Sequence, residues 1–182
     1  MLTIVQAPSD VLSQPAKEIK KIDQSILSLI EEMKDTLTNA KDPEGVGLAA
    51  PQVGKSLQLF IIKQSLTAPV QVFINPVLSI PDFPTLTPKK KKKGPVKLEG
   101  CLSLFNIWGV VNRHPTIALT YLDENGKSHR QKYTGFFATI IQHEYDHLQG
   151  VLFPKRVLEQ NEKLFKSQKD EHGEMVFDEI SL

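Results

Sequence analysis

The chain has a single cysteine, Cys101, so it cannot close an internal disulfide and is not a disulfide-stapled secreted scaffold. Long apolar runs are missing as well. No stretch of about twenty apolar residues is available to span a bilayer, and the opening Met1-Leu2-Thr3-Ile4-Val5-Gln6-Ala7-Pro8 lacks both the basic flank and the apolar core of a signal peptide. A cytoplasmic location with no membrane partner is the expectation. An excess of one charge is lacking too: 22 Lys and Arg stand against 21 Asp and Glu, a formal net charge of +1. A chain this balanced has no whole-molecule field for DNA, and any contact with a polyanion must come from a local patch. Internal repeats are absent, and 182 residues suit one hydrophobic core.

Residues 1 to 21, with Pro8 and Pro15, read as an extended or turn-rich lead-in over the surface. Asp23 then offers an N-cap, and Ile22, Ile26, Leu29, Ile30, Met33, Leu37 and Ala40 recur at steps of three and four. That spacing predicts an N-terminal amphipathic helix of about 17 residues ending before Pro43. Glu44 to Gly54 is rich in glycine and small residues, so a tight loop is expected there, with Gly45 and Gly47 letting backbone approach a ligand. Strands are expected over 57–62 and 70–74, then, after a turn at Asn75-Pro76, over 77–80. Pro81 to Pro95 is expected as a loop containing five consecutive lysines, Lys89 to Lys93. These lie in water, and contact with ribosomal RNA is their functional alternative.

Gly109 to Val111 reads as a short strand, and Thr116–Leu122 and Ser128–Tyr133 flank Asn125-Gly126, a hairpin signal. Gly135 opens a second helix that Gly150 closes. Beyond it, Val157 to Gln168 is expected as a surface helix and the last dozen residues as a frayed tail. The domain division expected is a catalytic unit over 1–157 and a surface helix and tail over 158–182.

The chemistry concentrates in His143-Glu144-Tyr145-Asp146-His147, which sets two imidazoles four residues apart on one helical face with a carboxylate beside the first. Both rings can reach one metal ion, but a catalytic centre needs a third protein ligand and a position left for water. A third histidine on the continuing chain, as in metzincins, would fall at Phe153. A later glutamate, Glu171 or Glu174, qualifies by spacing alone. Cys101, in Glu99-Gly100-Cys101-Leu102-Ser103, could present its sulfur as thiolate beside a glycine that allows a tight turn.

Three motifs occur in order: Gly45-Val46-Gly47-Leu48-Ala49-Ala50-Pro51-Gln52, then Glu99 to Ser103, then Gln142-His143-Glu144-Tyr145-Asp146-His147-Leu148-Gln149-Gly150. Together they resemble the motifs GxGLAAxQ, EGCLS and QHExDHLxG of the peptide deformylases, over roughly residues 1 to 157. The resemblance implies an α+β fold, with small antiparallel sheets packed around the central helix that bears the histidines. It implies Cys101, His143 and His147 as metal ligands, and Glu144 as general base. It assigns the oxyanion to the Gln52 side-chain amide and the Leu102 backbone N–H, and pairs Asp146 with Arg113. One divalent ion is implied, ferrous iron first, with zinc, nickel or cobalt able to take the place. The implied activity is hydrolysis of the N-formyl group from formyl-methionyl nascent peptides, with ribosome contact as a further expectation. Departures fall where the family carries a proline and an arginine near the substrate groove: Phe105 and Trp108 stand there. Pro154-Lys155 similarly replaces an apolar residue and an aspartate before Arg156. Trp108 is therefore a candidate substrate contact, through stacking.

Overall fold

A computed structural model of the chain describes residues 1–40, 45–65, 68–81 and 98–181. The lysine run Lys89–Lys93 and most of the loop expected around it lie outside the described residues. Helix α1 spans Gln24–Asn39 and begins where the Asp23 carboxylate accepts hydrogen bonds from the N–H groups of Ser25 and Ile26. Its stripe of Leu29, Ile30, Met33 and Leu37 is buried, and burial of each such side chain stabilises the fold by about 1.5–3 kcal/mol.

Five strands form one antiparallel sheet in the order β1-β2-β3-β6-β7: β1 Gly47–Ala49, β2 Leu59–Ile62, β3 Gln71–Ser79, β6 Thr116–Leu122 and β7 Ser128–Thr134. Alternation along β2 sends Leu59 and Ile61 into the core beneath α1 and Phe60 and Ile62 into the core beneath the second helix, α2, Gly135–Leu148. Phe60 stacks on Phe73 at 4.8 Å between centroids, and Tyr121, Tyr133, Phe137 and Ile141 complete that second core. A second antiparallel sheet runs β4-β5-β8-β9: β4 Glu99–Cys101, β5 Leu104–Gly109, β8 Leu164–Lys169 and β9 Met175–Glu179. A short helix, α3, Phe153–Glu159, buries Phe153 and Val157 with Leu164 of β8. Two antiparallel sheets around a central histidine-bearing helix make the chain α+β.

Several expectations are corrected. The stretch 44–54 is not one loop, because Gly47–Ala49 pairs with β2 and Ala50–Val53 forms a 3-10 turn. Asn75-Pro76 does not break the strand. β3 continues through it with a register shift between Ile74 and Val77, where Asn75 takes φ 48° and its amide both accepts from the Ile19 N–H and donates to the Ile19 carbonyl. The strand expected at Gly109–Val111 lies earlier, at Leu104–Gly109. The helix expected over Val157–Gln168 ends at Glu159, since Asn161 adopts a left-handed φ of 54°, and Leu164–Lys169 is strand β8. The last dozen residues include β9, which pairs with β8 from Phe165↔Glu179 to Lys169↔Met175. Residues 1–21 do more than cross the surface, because Leu12 is fully buried and Lys17 bridges Leu57.

Candidate metal centre

Helix α2 turns Phe137, Ala138, Ile140 and Ile141 onto the five-stranded sheet, and His143, Glu144 and His147 are buried among the residues that follow. Cys101 ends β4, and Leu102-Ser103 forms the two-residue turn into β5, where Cys101 pairs with Leu104. This turn delivers the sulfur to the helix. The ligand atoms of Cys101, His143 and His147 all lie within 4.8 Å of one another, and Cys101 Sγ is 3.2 Å from His147 Nε2. Glu171 and Glu174, the other candidates for a third ligand, are exposed near the β8–β9 turn and do not join the cluster.

His143 Nδ1 lies 2.7 Å from Glu99 Oε1. Donation from that nitrogen leaves Nε2 as the lone-pair atom for a cation. Glu99 stands two residues before Cys101 on one strand, so the two-residue period puts both side chains on one face. That period is a signal from which sequence reasoning could have assigned Glu99 to the site, and did not. Burial pushes the Glu99 carboxyl up, but hydrogen bonds from His143 and Arg113 outweigh it and hold it at about 2. Arg113 forks onto Glu99, Nε to Oε2 at 3.1 Å and Nη2 to Oε1 at 2.6 Å, and gives Nη1 to Asp146 Oδ2 at 2.6 Å. Arg156 closes the chain of charges on Asp146 Oδ1 at 2.7 Å. Gln142 fixes the segment beside Arg113 by accepting from the His114 N–H at 3.0 Å and donating to the His114 carbonyl at 2.9 Å.

Glu144 is 2% exposed. Burial raises its pKa to about 7, with Glu99 adding to the shift while His143 and Arg113 oppose it. Glu144 Oε2 and His147 Nδ1 are the buried side-chain atoms without a hydrogen-bond partner among the described residues. Gly47 faces that carboxylate so closely that an added Cβ would lie 2.3 Å from Glu144 Oε1, whereas Gly45 meets Leu37 and Ala40 at the end of α1. Gln52 is 1% exposed; its Oε1 accepts from the Ala49 N–H at 2.8 Å, and its Nε2 lies 3.5 Å from Cys101 Sγ and 3.3 Å from Ser103 Oγ. Trp108 donates its indole N–H to Ser167 Oγ at 3.0 Å and sets its ring edge-on to Phe177, 5.8 Å between centroids. Its ring also covers Gly100.

The residues fit a metal ion. A thiolate and two imidazoles are the donors that zinc and iron-type ions prefer, and three protein ligands leave a position for a reactant. Burial lowers the pKa of His143, but Cys101 and Glu99 outweigh it and raise it well above the ordinary value, whereas burial and then the neighbouring His143 push His147 well below it.

Fold and cluster together define a hydrolase of the HExxH type whose third candidate ligand is a cysteine. A family model described as polypeptide deformylase matches residues 1–163, and the chain belongs to the peptide deformylase family. It is 38% identical over 151 residues to a peptide deformylase of Dehalococcoides mccartyi, covering 82% of each chain. Among solved structures, it is similar to a peptide deformylase from Synechococcus elongatus in complex with actinonin: TM-score 0.70, 38% identity, 88% of this chain and 82% of that one. The peptide deformylase from Thermotoga maritima matches with TM-score 0.72 and 33% identity, over 86% of this chain and 97% of that one.

Proposed function

We propose that the chain hydrolyses the N-formyl group of the N-terminal formyl-methionine of nascent polypeptides and releases formate. The observation that carries this reading is the buried Cys101, His143 and His147 cluster with Glu144 beside it, whose Oε2 has no hydrogen-bond partner among the described residues. Cys101, His143 and His147 would hold one divalent ion, ferrous iron first, with zinc, nickel or cobalt as substitutes. When bound, the ion supplies Lewis-acid polarisation of the formyl oxygen and acidifies water.

Glu144 acts as the general base. Buried next to His143, with Oε2 free of any partner among the described residues, it is placed to take a proton from the attacking water and return it to the leaving amine. The water oxygen first adds to the formyl carbon, and the C–N bond then breaks as Glu144 returns the proton to nitrogen, so the products are formate and a free methionine amine. Negative charge developing on the formyl oxygen is met by the Gln52 side-chain amide and the Leu102 N–H. The Ala49 N–H supports this by holding the Gln52 Oε1, so that the Nε2 end faces the cluster. Gly47, at the start of β1, leaves room at Glu144, and Gly45 stands two residues before it against the end of α1. The peptide beyond methionine passes beside Gly100, where Trp108 contributes an apolar face.

Among the described residues no helix is long and apolar enough to cross a membrane, and the reading places the chain in the cytoplasm, acting near the ribosome on emerging chains. The residues assigned to the chemistry all fall within 1–157, and β8 and β9 complete the sheet that carries Cys101. Formate release from a formyl-methionyl tripeptide under anaerobic conditions, beside cleavage of an internal peptide bond, tests the proposal. Internal cleavage without formate release would replace it with a metallopeptidase.

A further inference from the structure

Both candidate oxyanion donors are tied to one short stretch near the start of the chain. The Val5 N–H donates to the Gln52 carbonyl at 2.8 Å, and the Ala7 N–H donates to the Ser103 carbonyl at 3.0 Å. Between them, Gln6 Nε2 donates to the Leu102 carbonyl at 2.9 Å. Three successive residues thus clamp the 3-10 turn that carries Gln52 and the β4–β5 turn that carries Leu102, which are about fifty positions apart in sequence.

The effect on Leu102 is specific. Cys101 is anchored in β4, and the Gln6 amide fixes the Leu102–Ser103 peptide plane while Ala7 fixes the next one. With the planes on the far side of Leu102 held, the direction of its own N–H keeps little freedom. A donor aimed before the reaction begins costs no reorganisation when charge develops, and about 0.5 Å of misplacement matters at such a site. Nothing else that bonds the Leu102–Ser103 peptide from outside the turn comes from a side chain among the described hydrogen bonds.

We infer that Val5–Ala7 is a strap that aims the oxyanion donors, and that Gln6 is a positioning residue for the Leu102 N–H. The inference rests on the deformylase reading above. Gln6 does not touch the reacting atoms, so its removal acts on the chemical step through Leu102 and leaves peptide binding alone.

The test uses the full chain, zinc-loaded for spectroscopy and iron-loaded for kinetics, with ¹⁵N-leucine labelling. Gln6→Met keeps the length and loses the donor; Gln6→Arg keeps a donor. Gln6→Met should lower kcat about tenfold, part of the loss expected for removing an oxyanion donor outright, with KM within about twofold of the parent. Its melting temperature should fall by less than about 5 °C, as for one exposed hydrogen bond. The Leu102 amide resonance should move in Gln6→Met and return towards its parent position in Gln6→Arg, which also recovers most of kcat. Unchanged kcat and an unmoved Leu102 amide in Gln6→Met would overturn the inference. So would a fall in kcat that tracks lost stability and is not rescued by Gln6→Arg. If the parent chain releases no formate, the proposed function fails on its own, and the Leu102 resonance still decides whether the strap aims that amide.

Discussion

The five-stranded sheet is held by apolar burial on both faces, with Phe60, Ile61, Ile62, Phe73 and Ile74 fully enclosed, whereas the four-stranded sheet has a small core of Cys101, Phe153, Val157 and Leu164. What the second sheet lacks in apolar contact it makes up with charge: Glu99, Arg113, Asp146 and Arg156 link β4 to α2 and α3. The candidate ligands are divided between these regimes. His143 and His147 ride on a helix seated in the thick core, and Cys101 comes from the thin sheet. Perturbing the thin side should therefore cost metal retention before it costs the fold, and perturbing the helix side should cost chemistry.

The largest expected effect is that of Cys101→Ala. Two imidazoles hold a divalent ion far more weakly than a three-ligand site, so the variant should retain little metal after dialysis while keeping its fold. Elemental analysis and circular dichroism on one sample measure both. Full stoichiometry at unchanged affinity would remove Cys101 from the ligand set and with it the division just drawn.

On the helix side, Glu144→Gln should keep both metal and fold and lose turnover by roughly two to four orders of magnitude, the usual range for a missing general base. A hydroxamate chelator should still bind. Near-parental turnover would eliminate the assigned base.

Glu99→Gln probes the joint between the two regimes. Replacing the carboxylate that orients His143 should weaken metal binding by about 10–100-fold, as for other partners of metal-bound histidines. It should also change the response to acid. The Glu99 carboxyl sits at about 2, below its ordinary 4.5, and a depressed folded value contributes stability that is complete above the unfolded pKa. That contribution is lost as pH falls from about 4.5 towards 2. Equilibrium unfolding across this window should be less steep with pH in the variant. Identical slopes would show that Glu99 is not coupled to folding.

The same contrast explains what was legible in the sequence. Helix α1 was readable because Asp23 and the stripe from Leu29 to Leu37 state cap and period locally, and the β6–β7 hairpin was readable from Asn125-Gly126 with strands on either side. The family motifs brought Cys101 together with His143 and His147 although spacing alone left Glu171 and Glu174 open. The four-stranded sheet was not legible. Its β8, Leu164–Lys169, has only Leu164 and Ser167 buried, too little alternation to signal a strand, and pairing with β5 rather than local propensity makes it one. Likewise, Asn75 departs from strand geometry because of a bond to Ile19 that lies 56 residues away in sequence, and no local window contains it.

Trp108 sits on the thin sheet and gives the smallest effect and the finest discrimination. Its N–H is engaged by Ser167 and its ring meets both Phe177 and Gly100, so a packing role and a substrate role make different demands on the same side chain. Packing uses the donor and the ring; stacking on a peptide uses the ring alone. Trp108→Phe should therefore lower the melting temperature by leaving Ser167 without its indole partner, at a cost of about 1 kcal/mol, while KM for formyl-methionyl peptides stays near the parental value. Trp108→Ala removes the ring as well and should raise KM about tenfold, equivalent to some 1.4 kcal/mol, for peptides with a bulky second residue, with kcat nearly unchanged. Steady-state kinetics over a set of formyl-methionyl dipeptides and tripeptides, with melts of both variants, separates the two. If Trp108→Ala lowers the melting temperature and leaves KM unaltered across the whole set, the indole serves the β5–β8–β9 face alone, and the peptide is held by groups other than Trp108.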